Sequence, residues 1–278
     1  MPVGIVTDST AYLPKSVVAE LGIEVVQLQV ISDGIAYNEV DGITVEQVAN
    51  ALRASKPVTT SRPNPELFIA AYERLISNGA DAIVSAHLSR ELSGTFESAR
   101  LASRSVSCPV EVIDSRGIAM MLGFAVQAGA KLARSGGGLS EVSDLVNRRC
   151  MGSSILFYVD SLEFLERGGR INTMQARMGS AMNLKPLLHM VNGKVEQREL
   201  VRTREKALTR MVDLACAAAR IKSEIAVHHV EAATAAHELA ELLKTRTGLV
   251  DISVSAVGAV VGTHVGPGAL AIVVSPQV

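Results

Sequence analysis

Tryptophan is absent from this 278-residue chain and aromatic residues make up only 3% of it, although 48% of the residues are hydrophobic. A core must therefore be built from Val, Ile, Leu and Ala, the composition of parallel sheets covered by helices. Only three cysteines occur, Cys108, Cys150 and Cys216, far apart and without a CxxC pair. That spacing offers neither a disulfide framework nor a thiolate metal site. Charge of one sign is lacking too, since 27 Lys and Arg stand against 28 Asp and Glu. Nucleic-acid binding needs a basic excess concentrated on one face, so the balance argues against such a partner.

The amino terminus, MPVGIVTDST, has no basic n-region and no long apolar stretch of the secretory kind, and the expected location is the cytoplasm. One long uncharged run does exist. Ile252 to Val278 contains no Asp, Glu, Lys or Arg and is long enough to span a bilayer. Gly262 to Gly268 interrupts it with a histidine and a Gly-Pro-Gly turn, which in lipid would leave backbone groups unsatisfied. Two short buried strands joined by a glycine-rich loop satisfy them, and His264 is expected in that loop.

Length predicts two α/β domains. Residues 1–150 alternate short β-rich runs with helical patterns, the signature of an N-terminal parallel-sheet α/β/α domain. Thr44 with Gln47 reads as a capping box, and Asn64 followed by Pro65 as N-cap and N1. Residues 151–278 change rhythm, and Asn192-Gly193 between two β-like runs predicts a hairpin and hence a mixed-sheet C-terminal α/β domain. The ligand site is expected between the two domains.

Four stretches place hydroxyls, glycines or cations where strands run into loops, the usual ligand position in open α/β sheets. These are Asp8 to Thr10, Val58 to Pro65, His87 to Ala99, and the loop of His264. Ser93 with the amides of Gly94 and Thr95, at a helix start, suits one small anion such as a carboxylate. Ser93 has an ordinary alternative as an N-cap, as do Thr60 and Ser61 as turn hydroxyls. Arg167 and Arg170 surround a helix-ending Gly-Gly, whereas Arg202, Arg204 and Lys206 crowd a helix start, where cations are disfavoured and an anionic ligand or partner would compensate them.

Several chemistries are missing. The sequence has no GxxxxGK[ST] phosphate loop, no GxGxxG after the first strand, no GxSxG elbow and no HExxH helix. His228 and His229 are neighbours on a strand, point to opposite faces, and do not chelate as a pair.

The stretches IVTDSTAYLP, TTSRPNPELF, LSGTFESA, VIDSRG, LEFLERGGRI, NLKPLL, VRTREKAL and GTHVGPGALAIVV, in this order, resemble the DegV family of fatty-acid-binding proteins over residues 3–274. The resemblance implies a two-domain α/β protein without independent catalysis or cofactor that encloses one long-chain fatty acid. It also implies a partner fatty acid kinase that brings ATP and phosphorylates the acid, with transient contact at a membrane surface. By the same resemblance Thr60 or Ser61, Ser93 and Gly94, and Thr263 with His264 surround the carboxylate. Arg170 is the matching buried arginine, while Arg202 and Arg204 face the kinase. Arg62 stands where the family commonly has glutamine, adding charge near the carboxylate, and Tyr12 where it commonly has aspartate. Two alternatives compete: a hydrolase with Ser93 as nucleophile, His264 as base and Asp8 or Asp114 as orienter, and a carrier of a small polar substrate resembling the dihydroxyacetone kinases.

Overall fold

The computed structural model describes residues 2–171 and 184–277, which leaves Asn183 of the NLKPLL stretch outside the described residues. The chain divides into two compact units, one comprising the residues up to Gln29 with Ser61–Gly152, the other Val30–Thr60 with Ser153–Gln277.

The first unit is a four-stranded parallel sheet in the order β2-β1-β6-β7, formed by Glu24–Val26, Val3–Asp8, Ala82–His87 and Val110–Asp114. Its helices are α1 (Lys15–Leu21), α3 (Pro65–Ser77), α4 (Thr95–Ala102), α5 (Met120–Arg134) and α6 (Leu139–Gly152). Strand alternation assigns them to faces. Ile5 and Val84 pack on Leu122, Val126 and Val142 of α5 and α6, whereas Val6 and Ile83 pack on Phe68 and Tyr72 of α3 and Ala99 of α4. Both faces are thus apolar, as the sequence composition requires of such a sheet. Asn64 is the N-cap of α3, followed by Pro65, as expected.

A fully buried polar chain runs through this core. Asp8 at the end of β1 accepts bonds from the Thr10 amide (3.1 Å), the Leu88 amide (3.0 Å) and His87 Nδ1 (3.1 Å), and from the Thr10 hydroxyl. His87 Nε2 meets Ser85 Oγ at 2.7 Å, and Ser85 Oγ meets the Tyr72 hydroxyl at 2.9 Å. Burial pushes the Tyr72 phenol well above its ordinary range, so it remains a donor.

The second unit holds a six-stranded mixed sheet in the order β10-β9-β8-β13-β11-β12: Lys194–Val201, Lys185–Val191, Ser154–Tyr158, Leu270–Pro276, Ser223–His229 and Ile252–Ala256. Only β11 and β12 pair in parallel. The predicted β9–β10 hairpin turns at Asn192 (φ 49°) and Gly193 (φ 85°), both left-handed as a two-residue turn demands. Helices α8 (Arg204–Ala218) and α9 (Ala233–Thr247) bury Met211, Ala215, Leu239 and Leu243 against Tyr158, Leu187, Ile225 and Ile272.

The chain passes from one unit to the other after Gly152, and Val30–Thr60 groups with the second unit, not with the rest of residues 1–150. This segment forms β3 (Gln29–Ser32), β4 (Ile35–Asn38), α2 (Val45–Arg53) and β5 (Val58–Ser61), its strands making a separate sheet ordered β4-β3-β5. The Thr44–Gln47 capping box opens α2 with both reciprocal bonds present. Distant partners attach the segment: Arg53 pairs with Glu231, and Glu39 Oε1 accepts the Val260 amide at 3.0 Å, 221 positions away.

A second expectation is corrected at the carboxyl end. His264 lies not in an extended loop but near the end of a short helix, α10 (Ala259–Val265). The remote carboxylate of Glu39 occupies its first turn, an anion where the helix dipole favours one, and Gly266 in the left-handed region (φ 74°) ends it. Among the described residues no helix is long and apolar enough to cross a membrane.

Two tests follow from these buried polar groups. Asp8→Ala strips acceptors from buried donors and is expected to cost about 3 to 5 kcal/mol in chemical denaturation; a loss under about 1 kcal/mol would show the network to be dispensable. His228, buried and facing Ser255 Oγ at 3.1 Å, has its pKa pushed down to about 4 by burial. The unfolded state therefore binds the extra proton first, so the stability due to His228 is full above about pH 6.5 and lost as pH falls toward 4. His228→Gln is expected to reduce the slope of stability against pH in that window by about one proton.

Candidate functional site

Within the first unit, the loop after β6 brings Ser93 and Gly94 to the start of α4. Gly94 occupies the N-cap position and supplies no side-chain cap. Ser93 is therefore not the capping residue that its position before a helix suggested. Its hydroxyl instead meets Thr95 Oγ1 at 2.9 Å. Arg62 lies over this turn, close enough that a Cβ built on Gly94 would come 2.6 Å from its Nη1. A guanidinium beside a helix start adds its charge to the positive end of the helix dipole, which concentrates positive potential at Ser93 and Gly94. Ser61 spends its hydroxyl locally, donating to the Arg62 carbonyl at 3.2 Å.

Within the second unit, Thr60 at the end of β5 meets His264. Thr60 Oγ1 and His264 Nε2 are 2.8 Å apart. The imidazole's other nitrogen, Nδ1, is buried without a hydrogen-bond partner among the described residues. Burial first, and the charge of nearby Arg170 second, push the His264 pKa down to about 4, so the ring is neutral at pH 7. Of the two tautomers, the one with hydrogen on Nε2 leaves only a lone pair unpaired at Nδ1, which costs less than an orphaned buried N–H. Thr60 then accepts from His264 and keeps its own O–H free to donate to a ligand.

Arg170 follows α7 (Glu163–Arg167), is half-buried, and donates to the Gly168 carbonyl. Burial lowers its pKa from the usual arginine value, the mark of a cation held short of water. Thr263 is buried and its hydroxyl returns to the Ala259 carbonyl at 2.8 Å, an ordinary intrahelical bond. Arg167 pairs with Glu163 one turn earlier in α7.

At the start of α8, Thr203 is the N-cap and accepts the Lys206 amide at 3.3 Å. Arg202 just before it is exposed. Arg204 lies over the Tyr158 ring, 6.0 Å from its centroid, and its Nε is buried without a hydrogen-bond partner among the described residues. The Tyr158 hydroxyl donates to Asp160 Oδ1 at 2.6 Å.

The groups of the hydrolase alternative have other partners than one another. Asp8 holds His87, Asp114 accepts the Arg116 amide at 2.9 Å, Ser93 bonds Thr95, and His264 Nε2 bonds Thr60. Asp8, His87 and Ser85 do form the hydrogen-bonded order of a catalytic triad, which the sequence reading missed although DST and SAH carry it. All three are 0% exposed, so no substrate reaches Ser85. Among the described residues no cluster of three or more His, Cys, Asp or Glu could hold a metal ion.

The comparisons with known proteins agree in direction. A model of the DegV family, described as a family of uncharacterised proteins, matches residues 2–277. A DegV domain-containing protein of Streptomyces coelicolor is 48% identical over 277 residues, 99% of each chain, and one of Halalkalibacterium halodurans is 35% identical over 96% of each. Among solved structures, a DegV family protein of Thermus thermophilus, described by its fatty acid binding, superposes with a TM-score of 0.93 at 32% identity, covering 99% of this chain and 100% of that one. DegV of Bacillus subtilis, described as a fatty acid binding protein, gives 0.90 at 32% identity over the whole of both chains. A family match that omits only the first and last residues, with relatives and folds aligned end to end, shows that this chain belongs to the DegV family.

Proposed function

We propose that the chain binds one long-chain fatty acid in the cytoplasm, shields its tail, and holds its carboxylate for phosphorylation by a partner kinase, performing no chemistry alone. The observation that carries this reading is the Thr60–His264 pair, a partly buried neutral imidazole whose bond to Thr60 leaves the threonine hydroxyl proton to meet an acidic head group. The two solved relatives described as fatty acid binding, at 32% identity, support the ligand class.

A tail of about 14 methylenes gains roughly 11 kcal/mol on leaving water, at about 0.8 kcal/mol each. A bilayer offers about the same per methylene. The tail therefore does not favour protein over membrane, and the head group decides. A buried carboxylate is costly unless it is hydrogen-bonded, and each bond to it returns about 1.5 to 3 kcal/mol. In this reading Thr60, Ser93, the Gly94 turn and Arg62 donate to the carboxylate. Arg170 supplies the half-buried positive charge that neutral His264 does not. Ser61 and Thr263, whose hydroxyls serve the backbone, have lesser parts. Arg202 and Arg204, at the start of α8, are assigned to the kinase and the phosphoryl group, which answers the cationic helix start with an anion.

Organic extraction of the purified protein followed by mass spectrometry is expected to release about one equivalent of a fatty acid; repeated recovery of empty protein that also refuses added acid would refute the reading. Ser93→Ala and His264→Ala are each expected to weaken retention by roughly 10- to 150-fold, the equivalent of one such bond. Arg202→Ala is expected to retain lipid normally and to slow acyl-phosphate formation when a fatty acid kinase and ATP are added. Equal loss of retention in Arg202→Ala would overturn that division of labour.

A further inference from the structure

Two consecutive glycines close α7, and they differ physically. Gly169 has φ 70°, and a Cβ there would meet nothing within 4 Å, so it is glycine for its backbone. Gly168 has φ −74° and ψ −12°, an ordinary helical conformation in which alanine is the more stable choice. Its backbone gives no reason for glycine. Its surroundings do. A Cβ on Gly168 would overlap His264 Nδ1, would stand 2.9 Å from His264 Cε1, and would be 3.2 Å from the Phe164 carbonyl oxygen.

The contact is reciprocal. Gly266, just past α10, leaves space for the Phe164 ring of α7, whose Cε2 would lie 2.5 Å from a Cβ at that position. Each short helix thus lends a glycine to an aromatic ring of the other. On its far side α10 is fixed as well, by Glu39 at its first amides and by Val45 of α2, whose Cγ2 would stand 3.0 Å from a Cβ on Gly262. The opposite edge of the imidazole is bonded to Thr60.

We propose that Gly168 is a positioning residue for His264: the missing side chain forms the seat against which the Nδ1 edge of the imidazole rests, and this seat sets Nε2 on the Thr60 hydroxyl. The inference rests on the fatty-acid reading of this site for its functional consequence, although the seat itself is a steric fact. A methyl group at 168 displaces a rigid ring, not the end of a flexible chain. A shift of about 1 Å carries Nε2 out of hydrogen-bonding range of Thr60. Thr60 then loses the donor that directs its own proton outward.

The test compares Gly168→Ala, His264→Ala and the double variant with the unsubstituted protein. Imidazole ring resonances of ligand-free protein report the seat without any lipid, and retention of added oleate reports its use. The expected result is that Gly168→Ala moves the His264 ring signals and its titration midpoint and lowers oleate retention by about 10-fold or more. In the His264→Ala background the same substitution is expected to change retention and melting temperature little, by less than about 2-fold in retention. Unmoved ring signals, or equal losses in both backgrounds, would overturn the proposal. Should Gly168→Ala not fold, recovery of folded protein in the double variant supports the seat, and failure of the double variant to fold counts against it. Moved ring signals in a protein that never retains oleate would support the seat while sinking the fatty-acid reading.

Discussion

The hydrogen bond between Thr60 and His264 joins residues 204 positions apart within the second unit and fixes the end of β5 to α10. Thr60 ends the segment Val30–Thr60, which leaves the first unit after β2 and returns to it for α3. Three attachments of this segment are Glu39 at the first turn of α10, Val45 against Gly262, and Arg53 paired with Glu231 beyond β11. An excursion of about thirty residues costs conformational entropy that the open sheet β4-β3-β5 hardly offsets alone. Its contribution is to carry a hydroxyl to a histidine and to hold the helix bearing that histidine.

Two polar clusters of opposite character share the chain. Around Asp8, the carboxylate, imidazole, hydroxyls and phenol are each bonded to another member and none is exposed. A closed network of this kind fixes geometry and has nothing left to offer. Around His264 the bonding is less complete, since Nδ1 has no hydrogen-bond partner among the described residues. Unsatisfied buried polar groups are rare in native structures and need a reason. A ligand that completes the set is such a reason. The triad-like order of Asp8, His87 and Ser85 sits in the closed cluster, where all three are buried.

Local signals in the sequence were read correctly where the physics is local. The capping box at Thr44, the Asn64-Pro65 helix start and the Asn192-Gly193 turn depend on residues within a few positions of one another, and all three are present. The helical state of residues 259–265 was missed because glycine and β-branched residues weaken its intrinsic propensity and its first-turn anion, Glu39, is supplied from 221 positions away. The grouping of Val30–Thr60 was missed for a related reason: β3, α2 and β5 continue the strand-helix rhythm of the first unit, and rhythm does not say which sheet a strand joins. Ser93 and His264 stood out as polar residues among glycines. Gly168 did not, since a glycine after a helix already has a sufficient explanation as a terminator.

Neutrality at His264 decides what kind of head group this arrangement suits. A protonated imidazole beside Arg170 would place two positive charges together in a half-dry site, and burial with that neighbour removes the proton. The positive charge is left to arginine, which does not titrate near neutral pH even when burial lowers its pKa. Histidine and threonine then act as directional dipoles, and arginine as fixed charge. An uncharged alcohol or amide would use the dipoles alone, whereas an ionised carboxylate uses the dipoles and the charge. In the proposed reading, preference for an acid over its ester follows from dividing the charge and the direction between different side chains.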